Sequence, residues 1–104
     1  MAAFYIGSYD IVDPEEFRKY PPIVLGLLSR YGGQVLASDT SGLLVEGTVR
    51  TMNAIIRFPT KEAALALYND PDDQEAKRIR QASTRNVTMV LVEEFKAGGV
   101  GKAG

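Results

Sequence analysis

The side chains of this sequence best suited to chemistry are Glu46, Tyr9, Asn53, Arg57 and Arg80. A carboxylate withdrawn from water holds its proton more tightly and becomes a usable general base near neutral pH. Glu46 is the candidate for that role. Its other reading is a residue of an association face, hydrogen-bonded to Asn53 or to a partner chain. Arg57 presents a planar fork that grips a carboxylate or phosphate with two hydrogen bonds, and it would serve equally against an acid across a dimer. Arg80 lies near the apolar stripe of its helix, beside Ile79 and Ser83. It either reaches into a cleft or lays its stem over the helix surface. Tyr9 and Asn53 add hydrogen-bonding groups that can position a ligand. Together they suit proton transfer on a small organic molecule bearing an anionic or hydrogen-bonding group: Glu46 as base, Arg57 or Arg80 as anion clamp, Tyr9 as a positioning hydroxyl.

Composition narrows the alternatives. The chain has 104 residues, one domain's worth, and contains neither Cys nor His. That removes thiolate chemistry, disulfides and the commonest general base and transition-metal ligand. No cofactor is expected. The acids of Asp70-Pro71-Asp72-Asp73 lack the spaced ligands, central Gly and closing Glu of a calcium loop, so no metal site is expected there. Acidic residues number 13 and basic residues 12, for a net charge of −1. A nucleic-acid partner would need a basic field, and so would an anionic lipid surface. Neither partner is expected. The segment MAAFYIGSYD has no basic n-region or long apolar run, and no stretch approaches the roughly 20 apolar residues of a membrane span. The expected location is cytoplasmic.

The elements that must position these residues follow from the pattern. Ala3–Ile11 reads as a strand. Asp13-Pro14 opens a helix as N-cap and first residue. Pro21-Pro22 interrupts the apolar repeat, so the helix is expected to kink or divide near Tyr20. Gly32-Gly33 ends it. Gln34–Ser38, Leu43–Glu46 and Met52–Phe58 read as strands, the last two as a hairpin turning at Thr48–Thr51. Lys61–Tyr68 and a segment from Asp72 or Asp73 to about Thr84 read as helices, and Val87–Phe95 as the last strand. Residues 1–96 thus make one domain, and 97–104 a flexible Gly-rich tail. Gly98-Gly99-Val100-Gly101-Lys102 in that tail lacks the earlier Gly and the hydroxyl residue of a phosphate loop.

In the hairpin register, Val45 faces Ala54 and Leu43 faces Ile56, giving an apolar side for helices. Leu44, Glu46, Asn53, Ile55 and Arg57 share a mixed side, where Glu46 and Arg57 stand roughly 13 Å apart along the strands. Tyr5, Gly7 and Tyr9 are placed on that mixed side too. It is too apolar to be left entirely wet, and a second copy of the chain is the expected cover.

The order of "YDIVDPEEF", "YGG", "VEG", "RFPTKEAALALYNDP" and "RQAS" resembles domain-of-unknown-function family 1330 over most of residues 4–95. Its members are small ferredoxin-like proteins of the dimeric α+β-barrel class. The resemblance implies an α+β, ferredoxin-like βαββαβ antiparallel sheet with helices on one face, paired into a homodimer. Related dimeric barrels include cofactor-free monooxygenases, lactone isomerases and haem-handling enzymes, so fold alone does not choose a chemistry. Gln34, Arg57 and Asp73-Gln74 depart from the family's usual charge pattern. The resulting expectation is a homodimer with a small-molecule cleft on the sheet face. The alternative is a non-enzymatic module whose mixed face serves association only.

Overall fold

Each element begins where the sequence supplies its signal. The computed structural model describes residues 1–96, and the tail at 97–104 lies outside the described residues. Strand β1 (Ala3–Ile11) leads to Asp13, whose carboxylate accepts from the Glu16 amide at 3.2 Å and starts α1 (Pro14–Phe17). Helix α2 (Tyr20–Arg30) follows after Arg18-Lys19, with Pro21 and Pro22 in its first turn. Amides there would have no helical partner, so the prolines cost the helix nothing. The expected division near Tyr20 is therefore present. Helix α2 ends as the Gly33 amide donates back to the Leu28 carbonyl at 2.8 Å and Gly32 takes a left-handed φ of +71°. A Cβ on Gly33 would come within 2.8 Å of Leu28 and 3.0 Å of Phe58. Only glycine lets the chain turn this close to the core.

Strand β2 (Gln34–Asp39) comes next, then β3 (Met52–Phe58). Thr60 caps α3 (Lys61–Tyr68), its hydroxyl accepting from the Ala63 amide at 3.1 Å. Helix α4 (Asp73–Ser83) runs without a linker into β4 (Thr84–Glu93). The four strands form one antiparallel sheet in the order β2-β3-β1-β4. This is the α+β, ferredoxin-like βαββαβ arrangement.

Two expectations fail here. Leu43–Glu46 is not a strand. Both edges of β3 are already taken, by β1 and by β2 through Asp39↔Asn53. The expected hairpin partner has no edge left to join on β3, and Thr40–Thr51 is a long loop in which Leu43 and Val45 stand 90% and 91% exposed. Glu46 accordingly does not oppose Asn53. The second failure concerns faces. Tyr5, Gly7 and Tyr9 lie opposite Ile56, Ala54 and Met52. They share the helix-covered side with Phe58, and the open side carries Phe4, Ile6 and Ser8 instead. Alternation along β1 groups the tyrosines with Gly7, and only the pairing with β3 decides which side of the sheet that group takes.

The core under the helices is two clusters. Leu27, Leu28, Phe58, Ala64 and Leu67 form one, and Tyr9, Phe17 and Met52 the other. Phe58 is fully buried, and a Phe→Ala change at such a site costs about 3–5 kcal/mol.

The far end of α2 is tied to the α3–α4 connection through Asp70. Its buried carboxylate accepts from the Tyr31 hydroxyl, from the Asp72 amide at 2.7 Å and from Arg30 at 3.2 Å. Those bonds, that from Tyr31 above all, hold its pKa below the ordinary value. A depressed carboxylate stabilises the fold above its unfolded pKa and loses that contribution as pH falls through the folded value. Asp70→Asn is therefore expected to be less stable than the parent at about pH 7 and to lose less on acidification to about pH 3. Urea denaturation at both values checks this, and parallel acid losses in the two proteins would contradict it.

Candidate functional site

The helix-covered side of the sheet has a row of small residues across its centre. Ser38 of β2 pairs with Ala54 of β3, which pairs with Gly7 of β1, which pairs in turn with Met89 of β4. A glycine inside a strand packs nothing and weakens the strand. Here no close contact demands it: a Cβ on Gly7 would meet only the Met89 Cγ, at 3.8 Å. Its φ is not in the left-handed range either, since the positive-φ glycines among the described residues are Gly32 and Gly47. What Gly7 leaves is space.

Helix α2 roofs that space with Tyr20, Pro21, Val24, Leu25 and Leu28, a spacing that keeps one helical face over the sheet. The result is a cavity of about 290 Å³, close to the ~300 Å³ lower end usual for ligand pockets. Its walls draw on both core clusters. At one end, Tyr9, Phe17 and Tyr20 form a run of rings with centroids 5.8 and 5.5 Å apart. At the other, Tyr5 meets Phe58 edge-on at 5.7 Å. Leu25 and Val35 line the cavity and are also exposed, which puts its mouth between α2 and the edge strand β2. Burial raises the pKa of Tyr5, Tyr9 and Tyr20, so all three are neutral hydroxyls at physiological pH.

A recess of about 30 Å³ adjoins the main cavity, sharing Tyr5, Tyr20, Val24, Leu28, Ile56 and Met89 with it. Its added residues are Phe58 of β3, Leu67 and Tyr68 of α3, and Asp73, Lys77 and Arg80 of α4. Asp73 and Arg80 are 7% and 5% exposed. Neither belongs to an ion pair among the described residues. They stand two turns apart on one helix face, about 10 Å along the axis. Burial raises the Asp73 pKa, against the pull of Lys77 and Arg80. Arg80 acts on Tyr20 through its charge and as a hydrogen-bond donor, favouring the phenolate against the larger effect of burial. Lys77 is engaged elsewhere, donating to the Tyr68 carbonyl at 2.7 Å with its ammonium 3.6 Å from the centre of the Tyr68 ring.

Of the residues singled out from sequence, Tyr9 and Arg80 come together in this cavity system. Asn53 and Arg57 alternate with Met52, Ala54, Ile56 and Phe58 and so lie on the open side of the sheet. There the Asn53 amide donates to the Arg50 carbonyl at 3.1 Å. Glu46 is exposed in the Thr40–Thr51 loop. That loop is moored at its end by Asp10, which accepts from the Thr51 amide at 3.1 Å, from Arg50 at 3.4 Å and from Asn86 at 2.9 Å. Sequence reasoning missed Tyr20, Ala54 and Asp73 as lining residues. The available signal was the matching of Gly7 with Ala54, two small residues in apolar strands.

The comparisons with known proteins agree with the fold. No curated protein matches this chain. Among solved structures, a protein of unknown function from Rhodopseudomonas palustris superposes with a TM-score of 0.78 at 18% identity, covering 91% of this chain and 83% of that one. A dimeric ferredoxin-like protein of unknown function from Jannaschia sp. CCS1 gives 0.73 at 15% identity, covering 90% and 100%. SnoaB, a cofactor-independent oxygenase from Streptomyces nogalater, gives 0.64 at 13% identity, covering 92% and 95%. The model of the family described as Domain of unknown function (DUF1330) matches residues 2–95, and the chain belongs to that family.

Proposed function

We propose that this protein binds a small, largely apolar ring compound in the cavity between α2 and the sheet, and that it works as a homodimer. The observation that carries the first half is the cavity itself, an unfilled volume of about 290 Å³ where a chain this small has most need of packed core. An empty apolar space forfeits dispersion contacts and burial, so a ligand that fills it gains both. In this reading Tyr9 and Tyr20 flank the ring and Arg80 offers a polar anchor at the deep end. The likeness to a cofactor-independent oxygenase supports extending the reading from binding to conversion.

Asn53 and Arg57 then belong to the association face. Ile6, Ile55, Val90 and Val92 are exposed on that side with no helix over them, and the Jannaschia protein of the same fold is described as dimeric. A second copy laid on this face would remove that apolar area from water, at about 25 cal/mol per Å². The ligand chamber lies on the opposite side of the sheet, so association and binding do not compete.

Gly7→Ala tests the cavity from within. Alanine has room there and a lower folding entropy cost, so the variant is expected to be about 0.5–1 kcal/mol more stable in urea titration. A destabilised variant would mean that the space above Gly7 is already filled.

A thermal-shift screen of small molecules gives the functional test. Flat apolar compounds are expected to raise the melting temperature by mass action, and Ala54→Leu to abolish those shifts by occupying the floor. Hits that survive in Ala54→Leu, or hits confined to anions with no apolar body, would count against the reading. For the dimer, sedimentation is expected to give twice the chain mass, and Ile55→Lys to give the single-chain mass by placing a charge in the joint. A parent protein that sediments as a monomer would overturn that half.

A further inference from the structure

The recess beside the main cavity holds one buried acid and one buried base that do not satisfy each other. The Arg80 guanidinium, with five N–H donors, joins no ion pair among the described residues and lies close enough to Tyr20 to act on its hydroxyl. The Asp73 carboxylate has no hydrogen-bond donor among the described residues, and its backbone amide is used by the Asp70 carbonyl at 2.9 Å. Yet among the described residues no side-chain polar atom is both fully occluded and unpaired. The free donors of Arg80 and the free oxygens of Asp73 must therefore keep contact with open space, and the recess is the space both residues line.

Resting on the cavity reading above, we infer that the recess takes one neutral hydroxyl of the bound ring compound, its oxygen accepting from Arg80 and its O–H donating to Asp73. The volume, about 30 Å³, exceeds the roughly 10–15 Å³ that a water-sized group needs, so the recess has room for a hydroxyl. The charges also choose. Asp73 and Arg80 sum to zero; Lys77 keeps its positive charge, which acts on Asp73, but its ammonium is held at the Tyr68 carbonyl and ring. A carboxylate entering the recess would meet Arg80 but also an acid that it cannot pair with. An ammonium would meet the reverse. A hydroxyl both donates and accepts, so of the three it is the one that answers both residues. The anionic ligand suggested by an isolated arginine gives way to a hydroxylated one.

Three probes of one ring shape test this by calorimetry: naphthalene, 2-naphthol and 2-naphthoate. Hydrogen bonds to two charged groups are expected to make 2-naphthol bind at least about tenfold more tightly than either other probe. In the double variant Asp73→Leu/Arg80→Met that preference is expected to shrink to within about twofold. Replacing both charges by apolar groups of similar volume leaves neither stranded, so the fold is kept. If naphthalene binds and 2-naphthol binds no more tightly, the recess holds only water and this inference fails while the cavity reading stands. If 2-naphthoate binds most tightly, the recess is an anion clamp and the inference also fails. If none of the three binds, both readings fail.

Discussion

A strip of small side chains decides the interior of this protein. Ser38, Ala54 and Gly7 follow one another across three strands, under helix α2. A sheet and a helix spaced for ordinary side chains cannot close over such a strip. Helix α2 is propped by Phe17 and Tyr20 at one end and by Leu27, Leu28 and Phe58 at the other. The space between the props is the cavity. Its position also explains why the core is two clusters, since the room that would join them is open.

The two sides of the sheet then carry different work. The covered side holds the chamber, with neutral tyrosine hydroxyls in its walls and a buried acid and base at its inner end. The open side holds exposed aliphatics, Asn53 and Arg57. The Asp70 clamp ties the end of α2 to the α3–α4 connection, because Tyr31 and Arg30 grip a residue three positions before α4 begins. It therefore fixes the turn of chain that delivers Asp73 to the recess.

Much of this was legible in the sequence. The caps at Asp13 and Thr60, the break near Tyr20 and the Gly32-Gly33 stop are local signals, and local geometry fulfils them. The error at Leu43–Glu46 was of another kind. Three consecutive apolar residues look like a strand, but strand formation needs a free edge, and edges are a property of the whole sheet. The misplaced face of β1 has the same origin: Tyr5 and Tyr9 are amphipathic, and only pairing with Ile56 and Met52 assigns their side. Arg80 could be suspected from its place beside Ile79, whereas Asp73 read as a helix-start acid, because nothing local distinguishes a capping carboxylate from a buried one.

The central claim is that the space above Gly7 and Ala54 is a real, dry chamber rather than room taken up by a shifted methionine. Xenon enters apolar cavities of this kind and scatters X-rays strongly, so a crystal of the protein under xenon pressure tests it directly. The account predicts xenon density between the Gly7–Ala54 floor and Val24 of α2. A structure with no xenon there, and with the Met52 or Met89 side chain lying across the floor, would contradict it.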